Sequence, residues 1–363
     1  MCQSTVLGLV FRQLTHTKEY RNGKPFYAVS ICIVNQSVKS MGYKERGISH
    51  VLITGGSGFI GSHVAQALSE VGIKLKILDH FKSKDHSIWI KRNFFADLKD
   101  IEIVKGNILD GNLLYRSLEN IDAVIHVASI NGIPYSIKAP INVFRTNCTG
   151  TMTLLEQCRL LSKTIKCIIL ISSAHVYLMP PKYLPIDENH PLNALTPYGV
   201  SKIFQDLIFQ TYYKHFQLPI IVLRSGLLFG ERQQKVKGVI SSFIKNALED
   251  KPIIIQGGKQ TRDIYHIANL IHAILLSMSK KDAIGEVFNI SGEYERSIED
   301  IAKEIIEFTK SKSTIYYSSY RRNERDTTRI LLDISKARKV LGYQPVVSFK
   351  EGLERTINWL KNS

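Results

Sequence analysis

The sequence has few of the features that would set it apart from ordinary globular proteins. Its 363 residues include five cysteines, and none of them stands in a C-x-x-C pair or another paired spacing of metal ligands. We therefore expect no disulfide framework and no metal site, and a reducing compartment such as the cytoplasm is the default prediction. The longest apolar stretches, for example 167–171 and 218–223, are far shorter than the roughly 20 residues that span a membrane.

Acidic residues are under-represented. The chain has 48 Lys and Arg against 32 Asp and Glu, which gives a net charge of +16. Such an excess suits an acidic partner such as nucleic acid, an anionic membrane or a phosphorylated small molecule. However, no five basic residues follow one another, and scattered surface lysine is the simpler interpretation. We do not expect nucleic acid to be a partner.

Residues 1–40 differ in composition from the rest of the chain. They contain one acidic residue, Glu19, against five basic ones, and they show no helical period. A signal peptide fits poorly, an organellar transit peptide fits in part, and a third interpretation is translated sequence upstream of a start at Met41. We favour the third and expect residues 1–47 to be an extension that is not part of the core. A chain that begins at Met41 is then expected to fold and to stay active.

From His50 onward, short β-branched runs alternate with longer amphipathic stretches. The runs typical of strands are 50–54, 75–79, 101–105, 123–126, 167–172 and 219–224. The stretches typical of helices are 58–71, 112–117, 143–161 and 198–216. This alternation predicts a parallel sheet with helices on both faces, in a domain over residues 48–225. Beyond it the pattern loosens, which predicts a smaller, interleaved C-terminal lobe over residues 226–363.

A glycine-rich turn follows the first strand. Its sequence is Thr54-Gly55-Gly56-Ser57-Gly58-Phe59-Ile60-Gly61. Glycines at this position let the backbone approach a pyrophosphate, which then lies at the N-terminus of the next helix. Asp79 ends the second strand, where a carboxylate can accept hydrogen bonds from an adenosine ribose and would repel a 2′-phosphate. The pattern predicts a dinucleotide site that prefers NAD, although Lys82 and Lys84 could soften that preference.

A second pattern concerns hydroxyl chemistry. Tyr198 and Lys202 are four residues apart in a helical stretch, so both side chains project from one face. A nearby ammonium stabilises a phenolate, which lowers a tyrosine pKa from about 10 and lets the side chain take a proton from an alcohol. Ser173 stands at the end of the fifth predicted strand. Joined to a dinucleotide fold, the three residues predict a catalytic group.

These motifs and several later ones occur in one order. They are TGGSGFIG, HVAS at 126–129, N-x-x-G-T at 147–151, ISSAHVY, TPYGVSK, LRSGLLFGER, QTRDIYHI at 260–267, EVFNISG at 286–292 and DISKARKVLGYQP at 333–345. From Ile48 to Leu360 the chain resembles the extended short-chain dehydrogenase/reductase family, in its NAD-dependent epimerase/dehydratase branch, similar to UDP-glucose 4-epimerases. The resemblance implies a Rossmann-type doubly wound parallel sheet with a smaller C-terminal α/β substrate lobe, and a homodimer.

The resemblance also implies roles for particular residues. Ser173, Tyr198 and Lys202 match the catalytic residues, Ser173 also contacts substrate, and Asn147 helps to position the site. Arg262 matches an arginine that contacts the substrate nucleotide or phosphate, and Arg325 is a second candidate. The residues implied to bind NAD are Gly55, Gly58, Phe59, Ile60, Gly61, Asp79, Asn107, Ile108, Ala128, Asn147, Tyr198 and Lys202.

Two positions bear on the reaction. Dehydratases of the family carry Asp-Glu after the Ser or Thr, whereas this chain has Ala174 and His175, and alanine cannot protonate a leaving hydroxyl. Oxidation and re-reduction of a sugar C4 hydroxyl through a 4-keto intermediate is therefore the preferred prediction. Leu227 stands where epimerases usually have Asn, which leaves open an NAD-dependent alcohol dehydrogenase or ketone reductase with another substrate. A non-catalytic dinucleotide- or RNA-binding regulator is a further alternative.

Overall fold

The computed structural model describes residues 46–81, 94–233, 238–318 and 329–362. The strands within these ranges are β1 His50–Thr54, β2 Lys74–Asp79, β3 Ile101–Lys105, β4 Ala123–His126, β5 Cys167–Ser173, β6 Ile220–Ser225, β7 Leu227–Phe229, β8 Ile253–Gln256, β9 Thr261–His266, β10 Val287–Ile290, β11 Glu295–Ser297 and β12 Ile315–Ser318. The helices are α1 Phe59–Glu70, α2 Gly111–Leu118, α3 Ile133–Lys138, α4 Pro140–Phe144, α5 Gly150–Leu160, α6 Pro197–Phe216, α7 Val239–Leu248, α8 Ile267–Ser279, α9 Ile298–Thr309, α10 Ser335–Leu341 and α11 Phe349–Lys361.

The main sheet has seven parallel strands in the order β10-β6-β5-β4-β1-β2-β3. Every residue of β4 and β6 is buried, and so is every residue of β5 before Ser173. Strands covered on both faces need uninterrupted apolar runs, which explains the β-branched segments of the sequence. The reversal of strand order between β1 and β4 opens a crevice at the carboxyl edge, where α/β folds bind their ligands.

Helices cover both faces of this sheet. On one face, α1 and α8 pack in a core that includes Leu68 and Ile274. On the other face, α2, α5 and α6 pack in a core that includes Leu114, Leu155 and Phe209. The predicted fold class, a doubly wound parallel α/β sheet, is confirmed.

The C-terminal half contributes to two layers. Helices α7, α9 and α11 pack with the β8–β12 pair in a core of their own, and β7, β9 and β11 form a three-stranded sheet. Strand β10 instead pairs with β6 in the main sheet, and α8 packs on α1. The two halves are thus interleaved, while the division at residue 225 stays a prediction. Residues 1–45, which include most of the predicted extension, lie outside the described ranges.

Within the described ranges, no helix combines the length and the apolarity needed to cross a bilayer. Strands β7, β9 and β11 were absent from the sequence prediction. Two of them are three residues long, and Thr261–His266 alternates polar and apolar side chains too irregularly to indicate a strand.

Candidate active site

The glycine turn lies at the carboxyl edge of the sheet, between β1 and α1. Gly55 has a φ of +74°, and a Cβ there would lie 2.7 Å from the backbone nitrogen and Cα of Ala128. A Cβ on Gly61 would lie 2.3 Å from the Gly55 carbonyl oxygen. Both positions therefore require glycine for close packing. Gly58 is the N-cap of α1 and has no side chain that could cap the helix. The first amides of the helix are therefore presented to the crevice.

Asp79 lies beside the same turn. One carboxylate oxygen accepts the N–H of Ser57 at 3.1 Å, and the other accepts the N–H of Phe81 at 3.1 Å. The backbone N–H of Gly106 donates to the carbonyl of Asp79, which brings the next predicted residue, Asn107, to the same edge. Asn107 is exposed, and its side chain accepts the N–H of Leu109 at 3.1 Å. The structure therefore groups two of the residues predicted to contact adenosine.

The three predicted catalytic residues converge at the ends of β5 and α6. Ser173 ends β5, and its side chain lies near enough to the Tyr198 hydroxyl to act on the pKa of that group. Lys202 lies one turn further along α6, with its ammonium 6.0 Å from the centroid of the Tyr198 ring. The Lys202 Nζ donates to the carbonyl oxygen of Ile171 at 3.0 Å. Pro197 in the first turn and the Thr196 side chain, which accepts the N–H of Gly199 at 3.1 Å, fix where α6 begins.

Burial governs the acidity of these groups. It raises the pKa of Tyr198 to about 12, although the hydrogen bond with Ser173 acts in the opposite direction. It lowers the pKa of Lys202 to about 8, while Asp206 and then Cys148 act to raise it. The sequence predicts a lowered tyrosine pKa, and the structure shows a raised one. Desolvation of the phenolate outweighs the attraction of the Lys202 ammonium, because that ammonium does not touch the Tyr198 hydroxyl.

Asn147 lies in a π-helical turn, Arg145–Thr149, which joins α4 to α5. Its side-chain oxygen accepts the N–H of Ile130 at 2.8 Å, and its amide nitrogen donates to the Ile130 carbonyl and to the Ser201 hydroxyl at 3.0 Å. Asn147 is fully buried, so it ties the loop after β4 to α6. This geometry supports the predicted positioning role more directly than contact with NAD. The sequence prediction had one unbroken helix here.

The substrate side of the crevice holds His175 and Arg262. The His175 ring meets the Tyr198 ring edge-on at 6.0 Å between centroids. Burial, followed by the charge of Arg262, lowers the pKa of His175 to about 4, so the imidazole is neutral at pH 7. Leu227 on β7 is half-exposed and offers no polar contact. Arg325, the other predicted substrate residue, lies outside the described ranges.

The remaining predicted cofactor residues differ in exposure. Ile108 is buried, and a Cβ on Gly150 of α5 would lie 2.5 Å from its Cγ2, so its side chain belongs to the core. Ala128 lies over the glycine turn, and its N–H donates weakly to the Thr54 hydroxyl at 3.4 Å. Phe59 and Ile60 pack partly against the core below α1.

Two buried polar networks behind the site were missed at the sequence level. In one, the His126 ring contacts the hydroxyls of Thr54 at 2.8 Å and Thr151 at 2.9 Å, and the Gln205 amide donates to Thr151 at 2.7 Å. In the other, Asp206 pairs with Arg224. The sequence signal that could have indicated these networks is spacing along the helix, since Gln205 and Asp206 stand three and four residues after Lys202.

Comparison with known proteins gives consistent matches. The family described as GDP-mannose 4,6 dehydratase matches residues 52–356. A protein of Methanocaldococcus jannaschii named as a UDP-glucose 4-epimerase is 35% identical over 86% of this chain and 99% of its own length.

Solved structures agree. An epimerase of Methanothermobacter thermautotrophicus has a TM-score of 0.81 at 29% identity, over 91% of this chain and 96% of that one. The UDP-glucuronic acid 4-epimerase of Bacillus cereus, solved with UDP-glucuronic acid and NAD, has a TM-score of 0.79 at 32% identity, over 86% of this chain and 99% of that one. The chain therefore belongs to the extended short-chain dehydrogenase/reductase family, in its epimerase/dehydratase branch.

Proposed function

We propose that this protein is an NAD-dependent nucleotide-sugar 4-epimerase, which oxidises the C4 hydroxyl of a sugar and reduces the resulting ketone from the opposite face. The observation that carries this proposal is the convergence of Ser173 and Tyr198, with Lys202 one turn away, at the sheet edge that also holds the glycine turn. The similar proteins include UDP-sugar 4-epimerases, among them structures solved with NAD, which supports both the reaction and the cofactor.

The residues at the dinucleotide end fit NAD. A Cβ at Gly55 would collide with the backbone of Ala128, and one at Gly61 with the carbonyl oxygen of Gly55, so the turn consists of bare backbone. The uncapped first turn of α1 offers amides to a pyrophosphate. Asp79 is held at the turn by the Ser57 amide, where it can accept hydrogen bonds from ribose hydroxyls. Asn107 lies at the same edge of the sheet as Asp79, where its side chain can contact the adenine. Bound NAD supplies the hydride acceptor and returns the hydride in the second half of the reaction.

The chain's own residues supply proton transfer. Tyr198 accepts the proton of the C4 hydroxyl as hydride leaves that carbon, and it returns the proton when the ketone is reduced. Ser173 orients the same oxygen, because its side chain lies next to the Tyr198 hydroxyl at the end of β5. The Lys202 ammonium stabilises the phenolate. Burial raises the pKa of Tyr198 to about 12, so this stabilisation is needed for proton transfer near neutral pH.

Elimination of water is disfavoured at this site. Ala174, next to Ser173, is buried and has no proton to give. His175 could be an acid only when protonated, and burial together with Arg262 lowers its pKa to about 4. Neither Ala174 nor His175 therefore protonates a leaving hydroxyl at neutral pH.

Arg262 is proposed to bind the diphosphate or another anionic group of the nucleotide sugar. Its charge acts on His175, whose ring meets that of Tyr198, and this proximity to the catalytic group supports the proposal. Charged hydrogen bonds from a guanidinium to phosphate oxygens are strong and directional. Arg325 is proposed for the same role on the basis of the sequence alone.

The reaction can be tested with a purified sample and UDP-sugars that differ at C4. An epimerase interconverts a C4 pair without added NAD and without lasting absorbance of reduced nicotinamide. A deuterium at C4 stays at C4 in the product, because the hydride returns to the carbon that it left. Release of stoichiometric NADH with a stable ketone would instead establish the dehydrogenase alternative, and loss of water to a deoxy-keto sugar would establish a dehydratase.

We further propose a homodimer formed through α4, α5 and α6. These helices expose large apolar side chains, including Ile141, Leu160, Leu207 and Phe216. Exposed large apolar side chains on helices that contact one another are the kind of surface that an interface buries. Leu207→Lys is expected to convert a dimer to a monomer in light scattering. The matched control is Ile254→Lys on β8. The Ile254 side chain has the size of leucine and is similarly exposed (60% for Ile254, 52% for Leu207), but it lies outside these helices.

A reducing compartment such as the cytoplasm remains a proposal based on cysteine usage. The cysteines in the described ranges, Cys148, Cys158 and Cys167, are free thiols, and two of them are buried. Burial raises the pKa of Cys148 to about 11, so its thiol stays protonated and poorly reactive at neutral pH.

A further inference from the structure

Asp206 is a buried carboxylate on the catalytic helix. Its side chain is fully buried, and one oxygen, Oδ2, accepts a hydrogen bond from Arg224 Nε at 2.6 Å. The other oxygen, Oδ1, is buried without a hydrogen-bond partner among the described residues. Asp206 stands four residues after Lys202 on α6, so the two side chains share one helix face.

The ion pair with Arg224 is held from three parts of the fold. Arg224 is the penultimate residue of β6, and its Nη1 donates to the Tyr177 hydroxyl at 3.1 Å and to the Glu188 carbonyl at 3.0 Å. The Tyr177 hydroxyl donates in turn to Asn289 on β10 at 2.6 Å. Arg224 keeps its charge at all accessible pH values, so this network fixes the Asp206 side chain beside a permanent positive charge.

Lys202 is the cation nearest to Asp206 on the same helix. Among the described residues it has one hydrogen bond, to the Ile171 carbonyl, and it is buried. A buried ammonium tends to lose its proton, whereas a buried carboxylate nearby stabilises the charged form. Burying a carboxylate oxygen without a hydrogen-bond donor costs free energy of folding. An electrostatic role of Asp206 toward Lys202 explains why this oxygen is buried all the same.

We propose that Asp206 is a positioning residue for the reaction, which stabilises the charge of the Lys202 ammonium and which Arg224 holds in place. It acts through Lys202 and touches neither substrate nor cofactor. The proposal rests on the proposed function only for its kinetic test.

Other ionisable groups near Lys202 do not supply this charge. Besides Asp206 on its own helix, Lys202 faces Tyr198, Cys148 of the π-helical turn and His126 of β4. Burial raises the pKa of Cys148 to about 11 and lowers that of His126 to about 3, so both are neutral at pH 7.

The groups packed around the ion pair are also accounted for. Beside Arg224 lies Glu188, whose pKa is raised by burial, and Glu188 in turn lies near Lys336 and Asp333. Tyr177, which bridges Arg224 to β10, stays protonated because burial raises its pKa. Among the described groups that face Lys202, Asp206 is therefore the carboxylate that acts on it directly.

The kinetic test is the pH profile of epimerisation in Asp206→Asn. Activity requires the protonated lysine, so the alkaline limb of the profile is expected to move down by roughly one to three pH units, the scale of an opposite charge at short range. The maximal rate at lower pH is retained, and Asp206→Glu restores the limb. Asp122→Asn, an isosteric change at a paired carboxylate on the opposite edge of the sheet, is the control and leaves the alkaline limb in place.

A second test does not depend on turnover. Burial lowers the pKa of Lys202 from 10.5 to about 8, so the unfolded chain binds more protons than the native one between these values. The free energy of unfolding should therefore rise with pH across this window. In Asp206→Asn the rise begins at lower pH. In a Lys202→Met background, Asp206→Asn should change the free energy of unfolding by an amount that no longer depends on pH.

Asp206→Asn also leaves the buried cation of Arg224 unpaired, so the double variant Asp206→Asn/Arg224→Gln is measured beside it. A shifted alkaline limb in both variants, with NAD content equal to that of the wild type, supports the proposal. If the alkaline limb stays in place in both variants and only the free energy of unfolding falls, the proposal is overturned and Asp206 is a structural residue. If no UDP-sugar is epimerised, the proposed function fails, whereas the unfolding measurement still decides the role of Asp206.

Discussion

At the scale of single residues, proton transfer depends on one hydroxyl. Tyr198 lies buried in the first turn of α6, close to Ser173, and most of the cofactor contacts predicted for the chain lie elsewhere, around the glycine turn and Asp79. Removal of the Tyr198 hydroxyl should therefore separate chemistry from binding.

We expect Tyr198→Phe to lower turnover by at least ~10²-fold, the scale of a positioned general base, while the protein still copurifies with NAD. Turnover of a UDP-sugar and the ratio of absorbance at 260 and 280 nm check the two halves of the expectation. Tyr212→Phe is the control, because Tyr212 lies on the same helix with its hydroxyl bonded to Glu156. A Tyr198→Phe protein as fast as the wild type would refute the assigned role.

At the scale of elements, the glycine turn joins a strand, a helix and a neighbouring strand. Gly55 and Gly72 both have left-handed φ values, +74° and +80°. A Cβ on Gly55 would meet the backbone of Ala128, whereas a Cβ on Gly72, after α1, would meet nothing within 4 Å. The two positions therefore separate backbone strain from close packing.

We expect Gly72→Ala to lower the free energy of unfolding by about 1–2 kcal/mol, the cost of a left-handed alanine, and to keep bound NAD. Gly55→Ala should cost more and should also lose NAD, since β1 and β4 must move apart at the crevice. Urea unfolding and the NAD content of the purified proteins measure these effects. Equal behaviour of the two variants would show that the turn tolerates a side chain.

At the scale of the whole molecule, the amino edge of the sheet is held by Asp122. Its Oδ2 accepts the N–H groups of Ser49 and His50 at 2.8 and 2.9 Å, and Lys166 donates to its Oδ1 at 2.9 Å. The strongest single influence, burial, opposes ionisation, but hydrogen bonds from Lys166, Ser49 and His50 outweigh it and lower the pKa of Asp122 from 3.8 to about 2. Asp122 thus links β1, β4 and the approach to β5.

A depressed carboxyl pKa contributes stability above the unfolded value, and this stability is lost as the pH falls from about 4 through about 2. We expect Asp122→Asn to lower the free energy of unfolding by on the order of 2 kcal/mol at pH 7, and to differ little from the wild type near pH 2. Denaturant unfolding over this pH range is the measurement, with the exposed Asp282→Asn as control. A pH-independent difference would assign the loss to packing.

Much of the fold followed from local pattern. The strands β1, β3 and β4 begin and end where the sequence predicts, and the helix α6 begins one residue earlier than predicted and ends where predicted. A central parallel strand must be apolar along its whole length, and a surface helix must have one apolar face, so both leave a short-range signature. The glycine turn and the Tyr198–Lys202 pair are readable for the same reason, since each acts over a few residues.

Tertiary structure decided what depends on residues far apart in the chain. It paired β10 with β6, brought Arg262 to His175, and placed Arg224 against Asp206. It also raised the pKa of Tyr198, which the Tyr198–Lys202 spacing alone predicts to fall. Spacing along a helix determines which side chains are neighbours, but burial determines how strongly each charge is penalised, and burial exists only once the sheet and both helix layers have packed.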